Sequence, residues 1–89
     1  MKVRASHILV DSEVNALALH KQITEGTDFA TLARLSSRCP SAANGGDLGE
    51  FGRGQMVKPF EDAAFGLEVL ELSQPVQTQF GWHLIRRTA

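Results

Sequence analysis

CPSAANGGDLGEFGRGQM, residues 39–56, holds five glycines and the chain's only cysteine within eighteen positions. Such a stretch can cradle a phosphate, present a nucleophile or rim a pocket, and each answer demands a different fold around it. A phosphate loop needs a strand before it, a helix after it and the pattern Gly-x-x-x-x-Gly-Lys-Ser/Thr. Here no Gly-Lys-Ser/Thr occurs, and acidic Asp47 and Glu50 sit inside the stretch. The dinucleotide fingerprint also wants a preceding strand, whereas the residues before Cys39 read as a helix. Tight turns around a short edge strand, DLGEF (Asp47–Phe51), explain the glycines instead.

Downstream of the stretch, Lys58-Pro59 suits a helix start, with proline in the first turn. Phe60, Ala63, Ala64 and Leu67 then make its apolar face. SQPVQTQFGWHLIRRT reads as a hairpin: Pro75 to Thr78 is one arm, Gln79-Phe80-Gly81 the turn and Trp82 to Arg87 the other. In the second arm His83 and Ile85 share one face, Trp82 and Leu84 the other.

Upstream, VRASHILV (Val3–Val10) reads as a strand. Ala5, His7 and Leu9 lie on one face and Ser6, Ile8 and Val10 on the other, so both faces are partly apolar and the strand belongs inside a sheet. Ser12 to Glu25 reads as a helix on Ala16, Leu19 and Ile23, flanked by Val14 and Leu17, with Asp11 or Ser12 as N-cap and Gly26 as stop. A second helix starts at Thr27 or Asp28, turns Phe29, Leu32, Ala33 and Leu35 inward, and ends before Pro40. The element order β-α-α-β-α-β-β predicts one α+β domain over residues 1–89, with a mostly antiparallel sheet.

The 89 residues carry a net charge of −1, which argues against general nucleic-acid or membrane-surface binding, since both need excess Lys and Arg. The basic residues are dispersed; Arg86-Arg87 is the only adjacent pair. A hydrophobic share of 43% with 21% charge is that of a globular domain with one core. A lone cysteine cannot form an intramolecular disulfide and fits a reducing compartment. MKVRASHILV has too short an apolar run for a signal peptide, so the expectation is a cytoplasmic protein. Nothing demands a partner chain, and monomer is expected.

The chemistry-bearing residues are few. Cys39 is a small buried hydrophobe or a nucleophile; the second role needs a base in reach, and the end of a helix disfavours a thiolate. His7 and His83 each interrupt an apolar strand, and on two strands of one small sheet they could meet. If they do, desolvation and mutual repulsion both hold them neutral. His20, on a helix, reads as surface. Two histidines and a cysteine lack a fourth ligand and the paired short spacings of a zinc site, so no metal and no cofactor are expected. Met56, Phe60 and Phe80 sit in or beside turns, either as core or as the rim of an apolar pocket.

Three segments together resemble the parvulins, a family of peptidyl-prolyl cis/trans isomerases. They are ASHILV with its histidine, FATLARLSSRCPSAANGGDLGEFGRGQMVKPFEDAAF (Phe29–Phe65), and PVQTQFGWHLIRR. They span nearly the whole chain in order. The resemblance implies the FKBP-like superfold, a four-stranded sheet surrounded by three to four helices. It implies catalytic positions at His7, Cys39, Thr78 and His83. It places the substrate groove at Leu48, Gln55, Met56, Phe60 and Phe80. The implied partners are proline-containing peptides and unfolded or folding protein clients. Phosphate-directed members carry a basic loop after the first strand. Here that place reads VDSEVNAL, with Asp11 and Glu13 and no Lys or Arg before Lys21, which implies a phosphate-independent enzyme.

Overall fold

The computed structural model describes residues 1–89. The elements are β1 (Lys2–Val10), α1 (Glu13–Thr24), α2 (Phe29–Ser36), a 3-10 helix (Pro40–Asn44), β2 (Asp47–Gly52), α3 (Lys58–Gly66), β3 (Val76–Thr78) and β4 (Gly81–Arg87). The strands form one sheet in the order β2-β1-β4-β3, and every neighbouring pair is antiparallel. The parvulin-like α+β arrangement expected from the sequence is therefore present, with three α-helices and one short 3-10 helix around the sheet.

β1 and β4 are the central pair, and both of their faces are covered. Ile8, Val10 and Leu84 pack with Ala16, Leu19 and Ile23 of α1 and with Phe29, Leu32 and Ala33 of α2. Val3, Ala5 and Ile85 face the other way, onto Phe51, Phe60, Ala64 and Leu67. Strand alternation thus splits the apolar residues into two cores, one under α1 and α2 and one under α3. One inward position fails at the margin: Leu35 is 78% exposed because it falls off the narrow buried stripe of its helix, and Val14 and Leu17, which flank the stripe of α1, are exposed as well. The 3-10 helix lies where the sequence predicts turns, since a five-residue run with no buried side chain leaves no periodic signal.

Local chemistry sets the helix starts. The Ser12 hydroxyl accepts from the Asn15 amide at 3.1 Å, and the Asp28 carboxylate from that of Thr31 at 3.0 Å. These side chains satisfy amides that the first helical turn leaves without partners. After α2 the chain is pinned to the end of β1. The Leu9 amide donates to the Ser37 hydroxyl at 3.0 Å, and the Arg38 amide donates to the Leu9 carbonyl at 2.8 Å.

The glycine-rich stretch closes against the same strand. The His7 amide donates to the Gly46 carbonyl at 2.9 Å. Gly46 has φ +88°, and a Cβ there would collide with the His7 carbonyl oxygen. Only glycine tolerates both the left-handed backbone and the close approach. The glycines let the chain turn tightly beside His7 and deliver Cys39 and Met56 to one cavity.

Candidate active site

His7 and His83 meet because of register. His7 lies opposite Ile85 and Leu9 opposite His83, so the two histidines are diagonal neighbours on one face of the β1–β4 ladder. Their Nδ1 atoms are 2.9 Å apart, and the rings are within 19° of parallel. His83 Nε2 lies 2.7 Å from the Thr78 Oγ1, which also accepts from the Phe80 amide at 3.2 Å. Phe60 presents itself edge-to-face to both imidazoles, at centroid distances of 5.4 and 5.2 Å.

Both histidines are buried. Burial, and then the neighbouring His83, push His7 down to about 4. Burial also lowers His83. The pair is therefore neutral at physiological pH and carries two ring protons over four nitrogens. One proton lies between the Nδ1 atoms. If His83 supplied it, His7 Nε2 would be an N–H, and that atom is buried without a partner. If His7 supplies it, His83 donates through Nε2 to Thr78, and His7 is left with a bare lone pair. A stranded lone pair costs less than a stranded N–H, so the network assigns the proton to His7 Nδ1.

Above the pair opens a cavity of about 490 Å³ lined by His7, Leu9, Arg38, Cys39, Pro40, Leu48, Gln55, Met56, Val57, Phe60, Phe80 and His83. Eight of the nine positions singled out in the sequence line it. The ninth, Thr78, is absent from the lining and bonds to His83. Phe60 is fully buried at the base, while Phe80, 62% exposed, stands at the rim. The Gln55 Oε1 accepts from the Gly52 amide at 2.6 Å, so only its NH₂ is left for a ligand. Cys39 is half-buried and unpaired. It lies three residues beyond α2, at the N-cap of the 3-10 helix, and not at the helix terminus assumed from the sequence.

Two contributors escaped the sequence reading. Arg38 lines the cavity and pairs with Asp11 at 3.1 Å, which makes the entry electrically balanced where VDSEVNAL alone reads acidic. Only the contact between the end of β1 and the chain after α2 brings these two together. Glu61, on the first turn of α3, is buried beside Phe60. Its Oε1 accepts from the Gly54 amide at 2.5 Å and its Oε2 pairs with Arg53 at 3.0 Å. The Gly54 hydrogen bond, then Arg53 and Lys58, hold its carboxyl below the usual range against the opposing effect of desolvation. Glu61 thereby ties the turn that carries Gln55 and Met56 to the helix that carries Phe60. The available signal was the position of Glu61, one turn before Ala64 on the apolar face of α3.

An apolar slot above a neutral histidine pair, on a four-stranded antiparallel sheet, is the arrangement that the resemblance to the parvulins implies. Comparison with known proteins agrees. The rotamase family, described as the PPIC-type PPIASE domain, matches residues 7–89, and the chain belongs to it. The foldase protein PrsA of Geobacillus sp. (strain WCH70) is 53% identical over 88 residues, which cover 98% of this chain and 32% of that protein. The chain spans about a third of the length of the PrsA foldases it matches. The solution structure of NmPin, the parvuline of Nitrosopumilus maritimus, is 46% identical with a TM-score of 0.90, over 99% of this chain and 96% of that one. The crystal structure of the peptidylprolyl isomerase PrsA from Bacillus anthracis superposes with a TM-score of 0.98 at 40% identity, over 99% of this chain and 41% of that one.

Proposed function

We propose that residues 1–89 act as one peptidyl-prolyl isomerase domain that rotates Xaa-Pro bonds in unfolded or folding protein clients, without a phosphate before the proline. The observation that carries this reading is the apolar slot of Leu48, Met56 and Phe60 placed directly beside the buried histidine pair.

Rotation about a prolyl bond faces a barrier of roughly 20 kcal/mol and takes tens of seconds unaided. No bond breaks, so a catalyst need only bind the twisted amide better than either planar form. An acceleration of about four decades requires roughly 5–6 kcal/mol of such preference. Twisting removes amide resonance, so the carbonyl loses negative charge and the nitrogen gains basicity. Phe60, Met56 and Leu48 grip the proline ring while the preceding carbonyl swings. An apolar surround favours the less polar twisted form. The Gln55 NH₂ donates to the peptide backbone, and Phe80 closes the rim.

His7, His83, Thr78 and the Cys39 thiol set the polarity of the slot and do not attack. Attack by Cys39 needs a base to take its proton. Both Nδ1 atoms are spent on each other and His83 Nε2 on Thr78, and the remaining nitrogen, His7 Nε2, is buried with no hydrogen-bond partner, the Cys39 thiol included. The single cation of the slot, Arg38, is paired with Asp11, whose carboxylate would repel a phosphate at the same edge. The unpaired thiol of Cys39 fits a cytoplasmic setting, and we read the domain as a monomer, which light scattering on the purified chain checks. No helix is long and apolar enough to cross a membrane.

The test is NMR exchange spectroscopy on unphosphorylated Ala-Ala-Xaa-Pro peptides with catalytic amounts of protein. Cis/trans cross-peaks should appear only with the protein and fade when phosphoserine precedes proline. Peptide shift changes without exchange would instead describe a binding module that uses the same slot.

A further inference from the structure

A second cavity, of about 440 Å³, lies beside the proline slot. Its walls come from Val10, Asp11, Asn15, Gln22, Ser36 and Arg38, with Ala18 and Leu19 beneath. Two stretches of chain run from one cavity to the other. Leu9 lines the slot and Val10 the second cavity; Cys39 and Pro40 line the slot and Ser36 the second cavity. Arg38 lines both. The two hydrogen bonds that pin Ser37 and Arg38 to Leu9 fix this shared wall.

The chemistry of the second cavity differs from that of the slot. Asp11 and Arg38 cancel each other's charge, and Asp11 also accepts from the Asn15 side-chain NH₂ at 3.1 Å. What remains is amide, hydroxyl and the unused N–H groups of the Arg38 guanidinium. Such a lining matches an uncharged polar segment, whose backbone carbonyls and amide or hydroxyl side chains can accept and donate in turn. It offers little to an apolar or highly charged one.

We infer that the second cavity is a subsite for the client chain itself: residues flanking the proline pass over the Arg38 rim and seat an extended, neutral polar stretch there. This rests on the proline-isomerase reading of the slot. It makes recognition longer than the single Xaa-Pro bond and gives the domain a preference for sequence beyond it.

The test compares a minimal Ala-Ala-Ala-Pro peptide with peptides extended by four Gln/Ser residues on either side of the proline. Extension on one side should raise kcat/KM about fivefold through KM, the size expected from one well-formed hydrogen bond. Ala18 and Gln22 are exposed on α1, so Ala18→Trp fills the cavity without touching the core. It should abolish the gain and leave turnover of the minimal peptide unchanged; Gln22→Ala should give a partial loss. Amide shifts of Asn15 and Gln22 on adding the long peptide report occupancy independently of turnover. Equal kcat/KM for all peptide lengths, or a gain that survives Ala18→Trp, overturns the subsite. A minimal peptide that is not turned over at all, while those amides still shift, removes the isomerase reading and keeps the subsite as a binding feature.

Discussion

Acidification from about pH 8 to about pH 4.5 probes the histidine pair most directly. In the unfolded chain His7 takes a proton near its ordinary value of 6.5, but in the fold it does so only at about 4. Above pH 6.5 both states hold a neutral ring and the fold has its full stability. Between 6.5 and about 4 the unfolded chain binds the proton and the folded chain does not. Stability therefore falls by about 1.4 kcal/mol per pH unit, or roughly 3 kcal/mol over the whole interval. His83 is lowered as well and pulls in the same direction. The two rings, 2.9 Å apart, act as one coupled unit, so the interval belongs to the pair. Asp28, Asp47 and Glu61 have carboxyls held below ordinary values of 3.8 to 4.5, and their contribution is lost only as pH drops through that lower range. Denaturant titrations at steps between pH 8 and 4.5 measure the slope. His7→Gln, which cannot take the proton, should flatten it. Imidazole nitrogen shifts should show both rings neutral at about pH 5.5. A wild-type slope equal to that of His7→Gln, or charged rings at that pH, would refute the reasoning.

Packing and chemistry at the slot and in the turn beside it set the outcome of further substitutions. Phe60 is 3% exposed and packs on both imidazoles and on Phe51, so Phe60→Ala should cost about 3–5 kcal/mol and most of the activity. Phe60→Leu should keep the fold and still lose much of kcat/KM, while Cys39→Asp should stay substantially active; a folded but inactive Cys39→Asp in the exchange assay would bring covalent attack back. Gly46→Ala forces a Cβ into the His7 carbonyl at φ +88° and should lower stability by about 1–3 kcal/mol in denaturant titration, with displaced His7 resonances. An unchanged midpoint would mean that the turn beside His7 relaxes freely.

Much of this molecule is legible from local pattern. The alternation in VRASHILV and GWHLIRR places Ile8 and Leu84 in one core and Ala5 and Ile85 in the other, as observed. Ser12, Asp28, Gly26 and Pro59 punctuate the helices through their own backbone chemistry. Leu35 is expected inward and is exposed, because an apolar residue on a helix is buried only if its angle faces a neighbour, and that neighbour is chosen by tertiary packing.

The sequence by itself determined the element order, the two-faced central strand and the residue types that could make a neutral, apolar site. These follow from periodicities of one strand or one helix, which act over a few residues. Tertiary structure decided the rest. The β1–β4 register set His7 diagonal to His83 rather than one residue out of step. The pinning of Arg38 to Leu9 brought a cation from beyond α2 against Asp11 and neutralised an entry that reads as acidic. The Glu61 bond to Gly54 joined the turn bearing Met56 to the helix bearing Phe60. Each is a contact between residues distant in the chain or on different elements, and its energy depends on a distance that no local pattern encodes.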